Sequence, residues 1–261
     1  MTAPVIDTAF EDAVAAVRDA VDRLREIWND IVDGVNHVLG ILPGFLEGPV
    51  KDAFNNLSGK VTEALDKIWQ FYTERGSASA VRQVASDWNT EVGGAASEQA
   101  GLLTPAQLAS TGQWSGTAAT RYTQVVGNQT KALADVKTIT DSVQTTLNEI
   151  ADALRNFWVG LAVAVGAYIA SMVGCAIGAA TVVGAVPSLI AALGFSVTFI
   201  GAAVKLALDF SNALDAKKAK LEQQTTLNGS FASDSWPPAT AGALADGSVR
   251  DGDKSDWTPA S

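Results

Sequence analysis

NFWVGLAVAVGAYIASMVGCAIGAATVVGAVPSLIAALGFSVTFIGAAV, residues 156–204, lies between Arg155 and Lys205 and holds no formally charged side chain in its 49 residues. Globular cores are rarely so uninterrupted, because a helix that buries one face presents charge on the other. Gly184 and Pro187 divide the run into about 25 residues before the break and about 18 after it. Each part is long enough, or nearly so, for a hydrocarbon layer of about 30 Å. The pattern predicts a helical hairpin whose uncharged turn can enter a bilayer without carrying an ion through hydrocarbon. Gly166, Ala170, Gly174 and Gly178 recur at every fourth position, which predicts a smooth groove for close helix packing in the hairpin. Arg155, Trp158 and Lys205 are the expected interface anchors, Lys205 by snorkelling. Together with Lys217, Lys218 and Lys220 they place both flanks in one compartment.

A second burial scheme fits the same run: the two helices form the centre of a water-soluble bundle, shielded by the amphipathic helices before them. The two schemes are compatible at different times, since such helices can sheathe an apolar hairpin until a membrane is reached.

Upstream, Phe10, Val14, Val17, Val21, Leu24, Trp28, Ile31, Val35 and Val38 follow spacings of four and three, a heptad seam on one long helix. GILPGFLEGP (40–49) breaks it. A second helix is expected from about Pro49 to just before Gly76, with Val50, Phe54, Leu57, Val61, Leu65, Ile68 and Tyr72 on one face, so residues 1–76 form an amphipathic antiparallel hairpin. A shorter helix follows, with Val81, Val84, Trp88 and Val92 on one face and its end at Gly93-Gly94. The longest helix opens after Gly116 and carries Tyr122, Val126, Leu133, Val136, Val143, Leu147, Ile150, Leu154 and Phe157 on a common face. Its many Ser and Thr residues lower intrinsic helicity, so packing rather than propensity holds it. No segment reads as a strand. The fold class is all-α: a long antiparallel helical bundle divided into residues 1–76, 77–155 and 156–224, with a tail, 225–261, whose Ser, Asp, Gly, Ala and Pro content predicts disorder.

The formal charge is −10 and the isoelectric point about 4.5. An acidic surface repels a phosphate backbone, so no nucleic-acid partner is expected. One cysteine, Cys175, and one histidine, His37, leave no intrachain disulfide and no Cys-His nucleophile pair or zinc site. The carboxylates of Asp19, Asp22, Glu26 and Asp30 fall on solvated helix faces. With no triad and no phosphate-cradling glycine loop, the chain reads as a non-enzyme without cofactor or metal. Residues 1–14, MTAPVIDTAFEDAV, lack the basic start and apolar core of a secretory signal, so any export is expected to proceed without a cleaved one.

TGQWSGTAATRY, residues 111–122, sits at the mouth of the longest helix. Gly116 permits a tight turn, Trp114 fills the tip of a helical hairpin, and Ala118 and Ala119 let the next helix pack closely. With Trp114-Ser115-Gly116, the Ala-Ala-x-x-Tyr continuation to Tyr122, VQTTLNEIADAL (143–154) and the apolar Gly/Ala-rich section behind it, the chain resembles the WXG superfamily of type VII (ESX) secretion substrates. The likeness spans roughly residues 77–205 and is nearest to the larger ESX secretion-associated proteins of the EspA and EspE type.

The resemblance implies a helical-hairpin fold, export by the ESX machinery without cleavage, and pairing with a helical-hairpin secretion partner into a four-helix bundle. One element of the pattern is missing. Such substrates or their partners carry Tyr-x-x-x-Asp/Glu, whereas Tyr72, Tyr122 and Tyr168 are followed four residues later by Gly76, Val126 and Met172. Either a partner supplies the export signal or the chain does not leave by that route; alternatively, residues 5–75 stand in for the partner by completing a bundle internally. The leading expectation is a secreted or envelope-associated protein that meets membrane lipid through its apolar hairpin, with self-association open. The alternatives are an α-helical pore-forming toxin and a resident two-span membrane protein.

Overall fold

A computed structural model describes residues 5–104, 107–108, 114–226, 230–231, 236 and 258–259. They form α1 (Thr8–Ile41), a 3-10 turn (Gly44–Leu46), α2 (Glu47–Thr73), α3 (Ala78–Asp87), a π turn (Trp88–Gly93), α4 (Gly94–Leu102), α5 (Thr117–Ala179) and α6 (Ala185–Thr226). The fold is an all-α helical bundle in which the helices joined by short turns run antiparallel. The one departure among the described residues is a two-residue antiparallel β pair, Trp114–Ser115 with Thr258–Pro259. Contacts divide the chain into two units, Met1–Ala80 with Ile150–Asp215, and Val81–Glu149 with Ala216–Ser261; α5 and α6 contribute to both.

In the first unit, Asp7 caps α1, its carboxylate accepting from the Phe10 N–H at 3.2 Å, the bond that satisfies a free amide of the first turn. Phe10, Val14, Val17, Val21, Leu24, Ile31, Val35 and Val38 are all buried, as the heptad seam requires. Ile27 rather than Trp28 holds the central position, while Trp28 lies at the margin and stacks on Phe54, centroids 5.4 Å apart. Ala13, Ile27 and Gly34 add a second stripe beside the first, so α1 faces two neighbours, α2 and the apolar hairpin. On the hairpin side Phe10 meets Trp158 edge-on at 6.3 Å, and a Cβ at Gly34 would lie 3.1 Å from Ala180 Cα. Helix α1 therefore runs parallel to the apolar half of α5. At the C-terminal end of α2, Phe71 packs edge-on against Phe157 at 5.3 Å.

The apolar halves of α5 and α6 lie antiparallel. Residues 156–179 and 185–204 rise about 36 Å and about 30 Å at 1.5 Å per residue. Their turn depends on two glycines: a Cβ at Gly178 would strike Ser188 Oγ, and one at Gly184 would come within 2.7 Å of Gly178 O. Thr181 closes it, its hydroxyl donating to Gly178 O at 2.9 Å and accepting from Gly184 N–H at 3.0 Å. The chain breaks at Gly184 as the sequence indicates, and Pro187 sits in the first turn of α6, where its missing N–H costs no helical bond.

In the second unit α3 and α4 run antiparallel to the first half of α5. The Asn89 amide donates to Asp141 at 2.7 Å and Gln144 at 2.5 Å, and Thr130 donates to Leu103 O at 3.3 Å. The expected stop at Gly93-Gly94 does not occur; the chain crosses the pair through the π turn and continues as α4. A wide turn rotates the face that follows it. Before and at its start Val84 and Trp88 are exposed, and Ala85, Gly93 and Ala96 are buried in place of the expected Val and Trp face. Gly93 is the point of closest approach, since a Cβ there would collide with Thr140 Oγ1. In the stretch expected to be a disordered tail, the Ser230 hydroxyl bonds Asp135 and Phe231 packs on Trp236. Trp257 lies outside the described residues.

Candidate functional site

The site is the apolar hairpin. Its inner side is a heptad seam of Trp158, Leu161, Val165, Tyr168, Met172 and Cys175 on α5, answered by Ala185, Leu189, Ala192, Ser196, Phe199 and Ala203 on α6, all buried. Tyr168 stacks on Phe199, planes 7° apart at 4.9 Å, and its hydroxyl shares a 2.7 Å hydrogen bond with Ser196 Oγ. Ser196 in turn donates to Ala192 O at 2.8 Å. Ser171 and Thr198 bond the carbonyls of Ala167 and Gly194, each at 2.9 Å. These hydroxyls are satisfied by the two helices themselves.

The outer side inverts the usual order of a water-soluble helix. Val159, Val163, Val173 and Ile177 on α5, Val182 and Val183 in the turn, and Ile190, Phe195, Val197 and Val204 on α6 are exposed. Val163 is 68%, Ile177 72% and Val183 90% accessible. Only 28% of the most apolar 18-residue window in each helix is buried. The scheme in which the run forms the hidden centre of a bundle is therefore only half realised: α1, joined at the base by the end of α2, covers one side and leaves the other bare. Scattered exposed hydrophobics are ordinary, but a contiguous apolar face marks a surface that is covered in use.

The small-residue stripe does not pack the hairpin. Gly166, Ala170 and Gly174 are exposed on α5, and a Cβ at Gly166 or Gly174 would meet no atom within 4 Å. The inward positions fall to the larger residues of the seam, which bury more apolar surface, so only Gly178, at the turn, makes the close approach expected of the stripe. Elsewhere along the hairpin, close approach belongs to Gly160, where a Cβ would come within 2.9 Å of Leu206 Cδ2.

The anchors fare differently. Lys205 is exposed and pairs with Asp209 at 2.6 Å. Arg155 turns to Asp152 at 3.0 Å and to the buried Asp7 at 3.8 Å. Trp158 corrects the expectation of an interface anchor: it is fully buried between Phe10 and Phe157, and its indole N–H donates to Arg75 O at 3.1 Å. Its ring is simply the largest filler the seam has at that level, and burial demands a partner for its N–H.

At the WxG turn Gly116 has φ +100°, a left-handed backbone that favours glycine. Its carbonyl accepts from the Thr120 N–H at 3.1 Å and the Thr120 hydroxyl at 3.2 Å, opening α5. Ser115 is exposed and Tyr122 half-buried; the Trp114 side chain, expected to fill the tip, lies outside the described residues. Beyond this turn, Lys217 at 2.6 Å and Lys220 at 3.3 Å bind Glu149 and hold its carboxyl below the usual range, the hydrogen bond from Lys217 contributing most. Hydrogen bonds from Lys137 and then Asn89 do the same for Asp141.

No group of three or more His, Cys, Asp or Glu residues is placed to hold a metal among the described residues. His37 is exposed on α1 and Cys175 is buried in the seam. Sequence reading missed the second stripe of α1 and its seat on the hairpin; Ala13, Ile27 and Gly34, offset from the main seam, were the available signal. Comparison of the chain with protein-family models, curated proteins and solved structures found no match.

Proposed function

We propose that this protein is a non-enzymatic type VII secretion-associated substrate or effector, delivered to the cell envelope or beyond, that engages membrane lipid through the outer face of its apolar hairpin. The observation that carries the membrane half is the bare, uncharged face running from Val159 to Val204, with charge confined to its base at Arg155, Lys205 and Asp209. A protein partner would ordinarily present a polar rim on every side of such a face; a bilayer matches a rim at one end only. The hydroxyls of Tyr168, Ser171, Ser196 and Thr198, bonded within the hairpin, meet the condition that hydrocarbon imposes on polar groups.

The secretion half rests on the resemblance at Trp114-Ser115-Gly116, and on the antiparallel pairing of α3 and α4 with α5 on either side of that turn. It requires a helical-hairpin partner bearing the Tyr-x-x-x-Asp/Glu signal that this chain lacks. Flotation of the purified chain with zwitterionic vesicles tests the membrane half: co-flotation supports it, and a chain that stays at the bottom of the gradient overturns it. Culture medium from cells with and without the ESX ATPase tests the other half, equal release in both ruling the route out.

A further inference from the structure

Helix α1 lies alongside the hairpin from Phe10 beside Trp158 to Gly34 beside Ala180. Between those levels its outer surface carries Asp19, Asp22, Arg23, Glu26, Asp30 and Asp33, all exposed. The assembled bundle can thus lay its bare face on a bilayer but cannot span one, since those charges would be carried to the hydrocarbon centre, where each is heavily penalised. We propose that α1 and α2 form a detachable sheath, and that the hairpin passes from surface docking to a two-helix span by shedding it. This rests on the membrane reading above and adds the step that makes crossing possible.

The structure supplies a hinge, a latch and a hairpin that tolerates release. The hinge is the Glu74–Ser77 connection between α2 and α3, where Gly76 has φ +65°. An open cleft lined by Phe71, Arg75, Leu154, Phe157 and Phe210 lies beside it, and Gly76 itself seats against Leu154. The latch lies at the same end: the Trp158 indole N–H donates to Arg75 O, Arg155 pairs with Asp7, and the Asp7 N–H donates to Ser79 Oγ at 3.0 Å. At the far end Gly34 seats against the backbone and methyl group of Ala180.

Once the sheath leaves, Tyr168 and Ser196 keep each other as partners within the hairpin, so no buried donor is orphaned in lipid. Trp158, released from Arg75, stands at the charged base of the span, the level where an indole finds headgroups and water. The freed seams of α1 and α2, apolar on one side and charged on the other, suit the plane of the interface.

The test joins the sheath to the hairpin in the full chain. Gly34→Cys and Ala180→Cys, in a Cys175→Ala background, place two Cβ atoms about 3.2 Å apart, a few tenths of an ångström from disulfide geometry. Oxidised and reduced forms are floated with zwitterionic vesicles and then washed with alkaline carbonate, which strips peripheral proteins but not spans. The proposal expects both forms to float and only the reduced form to resist carbonate. Equal resistance in the oxidised form overturns it, as does loss of both forms to carbonate. Failure of either form to float removes the membrane reading itself.

A second variant covers a cross-link that does not form. Trp158→Phe keeps an aromatic ring in the seam but removes the latch hydrogen bond. It is expected to acquire carbonate resistance about two- to tenfold faster than wild type, the factor corresponding to one buried hydrogen bond; an unchanged rate contradicts the latch.

Discussion

Ala170 lies midway along the exposed face of α5, 14 residues from Asn156 at the base and 13 from Val183 in the turn. Replacing it by Asp puts a carboxylate about 21 Å from the base and about 14 Å from Ala179, the last residue of α5, at 1.5 Å per residue, beyond the reach of a short side chain to the interface. The folded protein in water has little reason to object. The site is exposed, and an exposed substitution changes stability by about 0.5 kcal/mol or less, with a few tenths more for the helix propensity of Asp. In contact with hydrocarbon the same carboxylate is penalised, by up to about 2.5–3.5 kcal/mol where it reaches the bilayer centre, a loss of up to about 60- to 300-fold in partitioning. Urea melts and vesicle flotation read the two quantities separately. Ala16→Asp, on the exposed outer side of α1, is the matched control and should float as wild type. An Ala170→Asp protein that folds normally and still floats like wild type would refute the reasoning, because the outer face would then not be the lipid-facing one.

Gly93→Val should lower stability by about 1–3 kcal/mol through overpacking, since its Cβ has no room beside Thr140; the urea midpoint reports it. Phe10→Ala, which removes a buried ring from Trp158, should cost about 3–5 kcal/mol in the same assay. The carboxyl of Glu149 is held below its ordinary range by Lys217 and Lys220, so its contribution is present in full above the unfolded-state carboxylate range and is lost as pH falls through the lowered folded value. Wild type and Glu149→Gln should therefore differ in thermal midpoint at neutral pH and converge on acidification.

Much of this architecture is legible in the residues because it is periodic. The α1 seam, the break near Pro49 and the uncharged pair of helices all follow from spacing. What escaped is what depends on contact between distant segments. The Gly166, Ala170 and Gly174 stripe has the spacing of a packing groove, but spacing does not say which side of a helix a neighbour occupies, and here the larger heptad residues won the inner side. Trp158 follows Arg155 by three residues and sits at the end of an apolar run, the usual place of an interfacial indole, yet Phe10 and the Arg75 carbonyl, some 80 or more residues away in sequence, draw it inward. The Gly93-Gly94 pair reads as a stop because glycine weakens helices; Thr140 on another helix makes it a point of close approach instead. The WxG turn shows a glycine conformation and a helix start that its local sequence suggested.

Depth-resolved quenching measures directly which surface of the hairpin meets hydrocarbon. A small fluorophore is attached to Val163→Cys or to Ala16→Cys in a Cys175→Ala background, and vesicles carry brominated lipids at graded depths. Lipid contact through the outer face gives strong quenching at 163 by bromines in the acyl region and none at 16. Equal, weak quenching at both positions, with the protein bound to the vesicles, would show that the bare face of α5 does not enter the membrane.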